Sequence, residues 1–114
     1  MTAAEFRRIA LSFPETAESS HMHHPDFRVA GKIFATLGYP ERGWGMVKLF
    51  PDQQAGLAKA DAKTFVPAKG KWGLRGATLV RLKSAKKTTL LKALHAAWLN
   101  AAPKKLAAQS AKRN

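Results

Sequence analysis

FRVAGKIFATL, residues Phe27 to Leu37, decides how this chain folds. Phe27-Arg-Val-Ala30 places apolar side chains two apart, the spacing of a strand with one buried face. Gly31-Lys32 supplies a tight turn, and Lys32 to Leu37 repeats the period of two on the way back. Two short strands joined this closely make an antiparallel hairpin. The flanks extend it. Thr16 to Met22 reads as a polar strand on one side. Beyond the Pro- and Gly-bearing loop Tyr39 to Gly43, Trp44 to Leu49 (WGMVKL) reads as another. The result is a short-linked antiparallel meander.

Helical signals surround the meander. Thr2-Ala-Ala-Glu5 has the form of a capping box, in which hydroxyl and carboxylate each satisfy an early backbone N–H. Phe6, Ile9, Ala10 and Phe13 follow at helical spacing until Pro14. Pro51 opens a second helix to Ala60, where its missing N–H costs nothing and Asp52 faces the positive helix end. A Gly-rich basic loop, Ala68 to Gly76 (AKGKWGLRG), precedes a fifth strand, Ala77 to Lys83. Ser84 is placed to cap a long helix from Lys86 to about Ala102, with Leu90, Leu91, Leu94, Trp98 and Ala101 on one stripe. Pro103 kinks or restarts that helix. The order predicts an α+β fold of two layers: a mostly antiparallel sheet with helices packed on one face. One domain is expected over residues 1–106, with a basic, fraying tail at 107–114.

By strand alternation Phe27, Val29, Ile33, Ala35, Leu37, Val47, Leu49, Val80 and Leu82 are expected in the core. The opposite parity carries Arg28, Lys32, Lys48, Arg81 and Lys83, a basic outer face with no acid sharing it. The bland alternative is a solvated face such as any antiparallel sheet presents. His24-Pro25-Asp26 reads as a turn.

Charge divides the chain in two. All seven acids lie at or before Asp61, balanced there by seven bases, whereas thirteen bases and no acid follow Ala62. The whole net charge of +13 therefore belongs to the second half. Such a surface repels itself unless an anion approaches, which favours nucleic acid as partner. Within the loop, Lys69, Lys71 and Arg75 can neutralise phosphates that the glycines let approach. Trp72 either stacks on a base or folds back as a hydrophobic anchor. Lys86 and Lys87 occupy the first turn of the last helix, the unfavourable end for cations unless a phosphate sits there.

Enzymatic chemistry finds little footing. Cysteine is absent, so thiol chemistry and disulfides are excluded. The serines lie in no nucleophile motif, and phosphate-binding glycine loops of the nucleotide-binding types are missing. His21 and His23 would share a face of a continuous strand and form a weak metal alternative, short of a third rigid ligand. The expectation is a non-enzyme without cofactor. Nothing approaches the roughly 20 apolar residues of a membrane span, and Glu5, Arg7 and Arg8 interrupt any secretory signal. A cytoplasmic monomer without a membrane partner is expected.

Four segments in order carry a resemblance: HPDFRVAGKIFATLG, MVKLFPDQQAGL, PAKGKWGLRGATLVRL and the long helix containing AAW. Together they resemble the MmcQ/YjbR family of small bacterial proteins from about Ala3 to Leu106. Phe27 to Ala35 is the most specific part and Trp72 to Leu82 the next. The resemblance implies an α/β arrangement called a double wing and a DNA-binding role, a label that itself rests on fold likeness. Many relatives carry an aromatic residue where this chain has Ala77. The combined expectation is a DNA-binding protein of low sequence specificity. It would engage double-stranded DNA, with RNA as a further possibility, through Lys69, Lys71, Trp72, Arg75, Arg81, Lys83, Lys86, Lys87, Arg28, Lys32 and Lys48. The rival is a small-ligand or protein-interaction module.

Overall fold

A computed structural model describes residues 1–112. The hairpin read from the sequence supplies two inner strands of a six-stranded antiparallel sheet. Its strands are β1 (Thr16–His21), β2 (His24–Val29), β3 (Lys32–Leu37), β4 (Trp44–Lys48), β5 (Phe65–Pro67) and β6 (Ala77–Arg81), in the order β1-β2-β3-β4-β6-β5. The helices are α1 (Ala3–Leu11), α2 (Pro51–Ala60), α3 (Gly70–Leu74), α4 (Lys87–Ala101) and α5 (Lys104–Lys112). The chain is thus α+β, as expected. No helix among the described residues is long and apolar enough to cross a membrane.

The capping box forms: Thr2 Oγ1 accepts from the Glu5 N–H, and Glu5 Oε1 accepts from the Thr2 N–H. It sets α1 so that Phe6, Ile9 and Ala10 face the sheet. Across from them α4 contributes Leu90, Ala93, Leu94, Ala97 and Trp98, all fully or almost fully buried. That stripe differs from the expected one by a small rotation: Leu91 is exposed, and Ala93 and Ala97 are the inward residues.

One bulge corrects the strand parity. Phe27 pairs with Ala35, but Arg28 pairs with Ile33, so β3 carries one extra residue. An extra residue switches the faces beyond it. Phe34 thereby enters the core in place of Ile33, which lies opposite Arg28. Lys32 pairs with Val29, on the core-side parity rather than the outer one, and stays exposed because the strand begins there.

The turns differ from those expected. His24-Pro25-Asp26 belongs to β2, and the β1–β2 turn is made by Met22 and His23, with φ of 48° and 67°. The β2–β3 turn is Ala30-Gly31, at φ of 51° and 80°. Two-residue hairpin loops of the type I′ kind, the pattern of both turns here, demand left-handed backbone at both positions. Met22 and His23 lack the Gly or Asn that ordinarily advertises this, so the turn was illegible.

The second half holds three further differences. The Gly-rich segment is not an open loop: it contains α3, and Phe65–Pro67 adds the edge strand β5. Ser84 does not cap α4. Leu82–Ser84 form a 3-10 turn, Lys86 is the N-cap without a side-chain bond, and Ser84 Oγ lies 2.8 Å from Thr64 Oγ1. Helix α5 covers most of the segment expected as a tail, while Arg113 and Asn114 lie outside the described residues.

Candidate nucleic-acid interface

The end of the sheet where β2 turns into β3 and β4 runs into α2 is assembled by polar ties across long sequence distances. Asn100 Nδ2, in the last turn of α4, donates to the Lys48 carbonyl (3.3 Å) and to Gln53 Oε1 (2.8 Å). Gln53 Oε1 also accepts from the Phe50 N–H at 2.8 Å. Buried Gln54 donates through Nε2 to the carbonyls of Gly73 and Ala77, both at 2.9 Å. These bonds hold α2, α3, β6 and the end of α4 in one arrangement around Lys48 and Arg75.

Two glycines make that approach possible. A Cβ on Gly76, at φ +112°, would lie 1.9 Å from the Leu49 carbonyl oxygen. A Cβ on Gly73 would lie 1.6 Å from the Ala68 carbonyl oxygen. Only glycine lets the backbones pass so closely.

Around this end lies an open cleft of about 440 Å³, lined by Arg28, Lys32, Lys48, Arg75 and Asn100 among others. Four bases, from β2, β3, β4 and the C-cap of α3, converge there, and none of its lining residues is acidic. A smaller cleft of about 190 Å³ shares Lys48 and Arg75 and adds Trp72. Lys69 is the N-cap of α3 and Lys71 lies within it, both exposed.

The other expected bases do not join this cluster. Arg81 lies at the far end of β6, its guanidinium 4.4 Å from the Trp44 ring centre and its Nε bonded to the Lys63 carbonyl at 3.2 Å. Lys83, Lys86 and Lys87 follow it in the 3-10 turn and at the start of α4. Ala77, the cross-strand partner of Lys48, and Arg81 are four residues apart on one face of β6. That puts Arg81 roughly 13 Å along β6 from the strand position opposite Lys48, at the rise of a strand.

The outer face is also not free of acid. Because β2 starts at His24, Asp26 shares the parity of Arg28 and is fully buried beside it. Arg28 donates Nε to Asp26 Oδ1 at 2.8 Å and Nη2 to Oδ2 at 3.0 Å, and His21 Nδ1 lies 2.7 Å from the same Oδ2. Arg28 therefore brings a partly neutralised charge to the cleft. Its bonds, more than those of His21, hold the Asp26 carboxyl below its ordinary 3.8, against the burial that pushes it up. A depressed carboxyl pKa stabilises the fold above the unfolded-state value, and this stability is lost as the pH falls through the folded-state value. Asp26→Asn is expected to lower stability at pH 7 by about 1–2 kcal/mol, discounted for the water that reaches Arg28 and His21. The gap to the parent should narrow as the pH falls to an acid value below the ordinary carboxyl range. Chemical denaturation at the two pH values checks this; a gap of equal size at both would contradict the linkage.

His21 and His23 do not share a face, since β1 ends at His21 and His23 belongs to the turn. Among the described residues no three His, Cys, Asp or Glu side chains are grouped to hold a metal.

Next to Asp26 the outer face carries a second feature, absent from the sequence reading. His21, Met22, His24, Thr36, Tyr39 and Trp72 line a pocket of about 290 Å³. The Tyr39 ring stands edge-on to both His24 (6.0 Å, 86°) and Trp72 (5.5 Å, 72°). Thr36 Oγ1 is buried without a hydrogen-bond partner, the one such side-chain atom among the described residues. An unsatisfied buried hydroxyl costs about 1–3 kcal/mol.

A family model described as YjbR matches residues 11–100. The fold is similar to the crystal structure of a Deinococcus radiodurans protein with a DUF419 domain. The TM-score is 0.73 at 16% identity, covering 87% of this chain and 77% of that one. No curated protein matches the sequence.

Proposed function

The chain belongs to the YjbR family, and on that footing we propose that it binds double-stranded DNA through the phosphate backbone, with low sequence specificity. The observation that carries the reading is the convergence of Lys32, Lys48 and Arg75, with the Asp26-paired Arg28 beside them, on a cleft without an acidic lining residue. Like charges gathered this way repel one another until an anion arrives, so the site is favourable only when loaded. Lys69 and Lys71 stand on the neighbouring α3 and extend the track. The second group, Arg81, Lys83, Lys86 and Lys87, begins at Arg81, roughly 13 Å along β6 from the strand position opposite Lys48. That is close to the width of the major groove, about 12 Å. A duplex laid along β6 would offer one strand's phosphates to each group. Phosphate contacts fix position and carry no sequence information, hence the low specificity.

Counterion release gives the test. Five phosphate contacts predict that log affinity falls against log salt with a slope of roughly −4 to −5. Fluorescence anisotropy with a labelled duplex of mixed sequence, titrated at several salt concentrations, measures it. Affinity that does not change with salt would remove the phosphate mechanism.

A further inference from the structure

The pocket on the outer face is not explained by phosphate binding. Its walls are aromatic, it is more enclosed than the basic cleft, and it is at the small end of the range for ligand pockets, about 300–1,000 Å³. Tyr39 and Trp72 are 40% and 37% exposed, and Met22 beside them 83%, so large apolar side chains stand open to water around its mouth. The floor offers the opposite chemistry. Thr36 has a buried hydroxyl with no partner, and His21 engages Asp26 through Nδ1, leaving Nε2 outside that pair. Aromatic walls with a few polar groups suit one flat ring that carries donors and acceptors on its edge.

Trp72 ties this pocket to the bases. The same side chain lines the small cleft that holds Lys48 and Arg75. A ring against Trp72 would thus have an anion site adjoining it. A flat heterocycle joined to a phosphate is a nucleotide. We infer that the His21–Tyr39–Trp72 pocket receives an unstacked nucleobase, with the phosphate of the same nucleotide on Lys48 and Arg75. The base stacks on the exposed rings, and a polar atom on its edge satisfies the Thr36 hydroxyl. Duplex DNA keeps its bases stacked and paired, so the pocket serves single strands, frayed ends or free nucleotides. The inference rests on the phosphate reading for its anion half and on the pocket alone for its base half.

Three probes separate the halves: a single-stranded oligothymidylate, an abasic oligonucleotide of the same phosphate number, and thymidine monophosphate. The oligothymidylate should bind roughly tenfold tighter than the abasic strand, the size expected for stacking of one base. Tyr39→Leu should abolish that difference and leave abasic binding unchanged, since Tyr39 lines the pocket and neither basic cleft. Thr36→Val, which keeps the shape of the side chain, should reduce the difference without weakening the abasic strand. Equal binding of the two strands by the parent protein would overturn the inference while leaving the phosphate reading intact. So would a Tyr39→Leu variant that weakens both strands alike. Binding of the monophosphate that is lost in Tyr39→Leu, with neither strand bound, would support the base pocket and assign it to free nucleotides. No binding of any probe would overturn the inference, whereas the duplex titration alone decides the phosphate reading.

Discussion

Replacing Lys32, Lys48 and Arg75 together by alanine should weaken duplex DNA binding roughly a hundredfold near physiological salt. The salt slope should become shallower by roughly 3, one step for each lost contact. The three residues come from β3, β4 and the cap of α3, and they reach one cleft only because of the fold. Arg28 is left in place because its bonds to Asp26 also hold the sheet. A charge-matched control removes Lys59, Lys92 and Lys104, none of which lines either basic cleft. That control should lose only the small, long-range part of the attraction, since charges beyond about 8–10 Å are screened. Equal losses in the two triple variants would mean that net charge, not the cleft, drives binding. The loss should also be the same for duplexes of unrelated sequence, because phosphate contacts do not read bases.

The second large effect concerns stability. Trp98 is completely buried in the C-terminal half of α4, and its Nε1 donates to the Pro14 carbonyl at 3.1 Å. Phe13 stacks on it (6.1 Å between ring centres) and meets Phe34 edge-on at 6.5 Å. The indole therefore joins the end of α1, the bulged residue of β3 and the long helix. Trp98→Ala should cost about 3–5 kcal/mol. Domains of this size have about 5–15 kcal/mol in total, so the variant should sit near its unfolding midpoint at modest denaturant. Trp98→Phe keeps most of the packing and loses the hydrogen bond, so its loss should be smaller. Urea denaturation with unchanged slope would register both as shifts in midpoint. A loss below about 1 kcal/mol for Trp98→Ala would contradict the place given to it in the core.

The candidate site was legible in its ingredients and not in its arrangement. Lys32, Lys48, Arg75 and Trp72 were recognisable from sign and neighbourhood, yet nothing in the chain said that they meet while Arg81, Lys83, Lys86 and Lys87 stand apart. Arg28 looked free because Asp26 was read as part of a turn; once β2 begins at His24 the two become an ion pair. Tyr39 and Thr36 gave no signal at all. A loop tyrosine and a strand threonine are ordinary until folding closes a pocket over an unpaired hydroxyl. Asn100 was equally silent, although it joins the last turn of α4 to β4 and α2.

What the sequence by itself determined was local or additive. A period of two over Phe27–Leu37 made the hairpin, a capping box placed the start of α1, Pro51 opened α2, and the acid-free second half carries the whole net charge of +13. Each depends on residues near one another in the chain, or on a sum that no arrangement can change. The tertiary structure decided which face each side chain joined and which charges met. One bulged residue sent Phe34 inward and Ile33 outward, and a glycine at position 76 let α3 and β4 come close enough to set Arg75 beside Lys48. Strand parity and charge proximity both depend on register and on long-range packing. A shift of one residue inverts the first, and the second exists only after distant segments have been brought together.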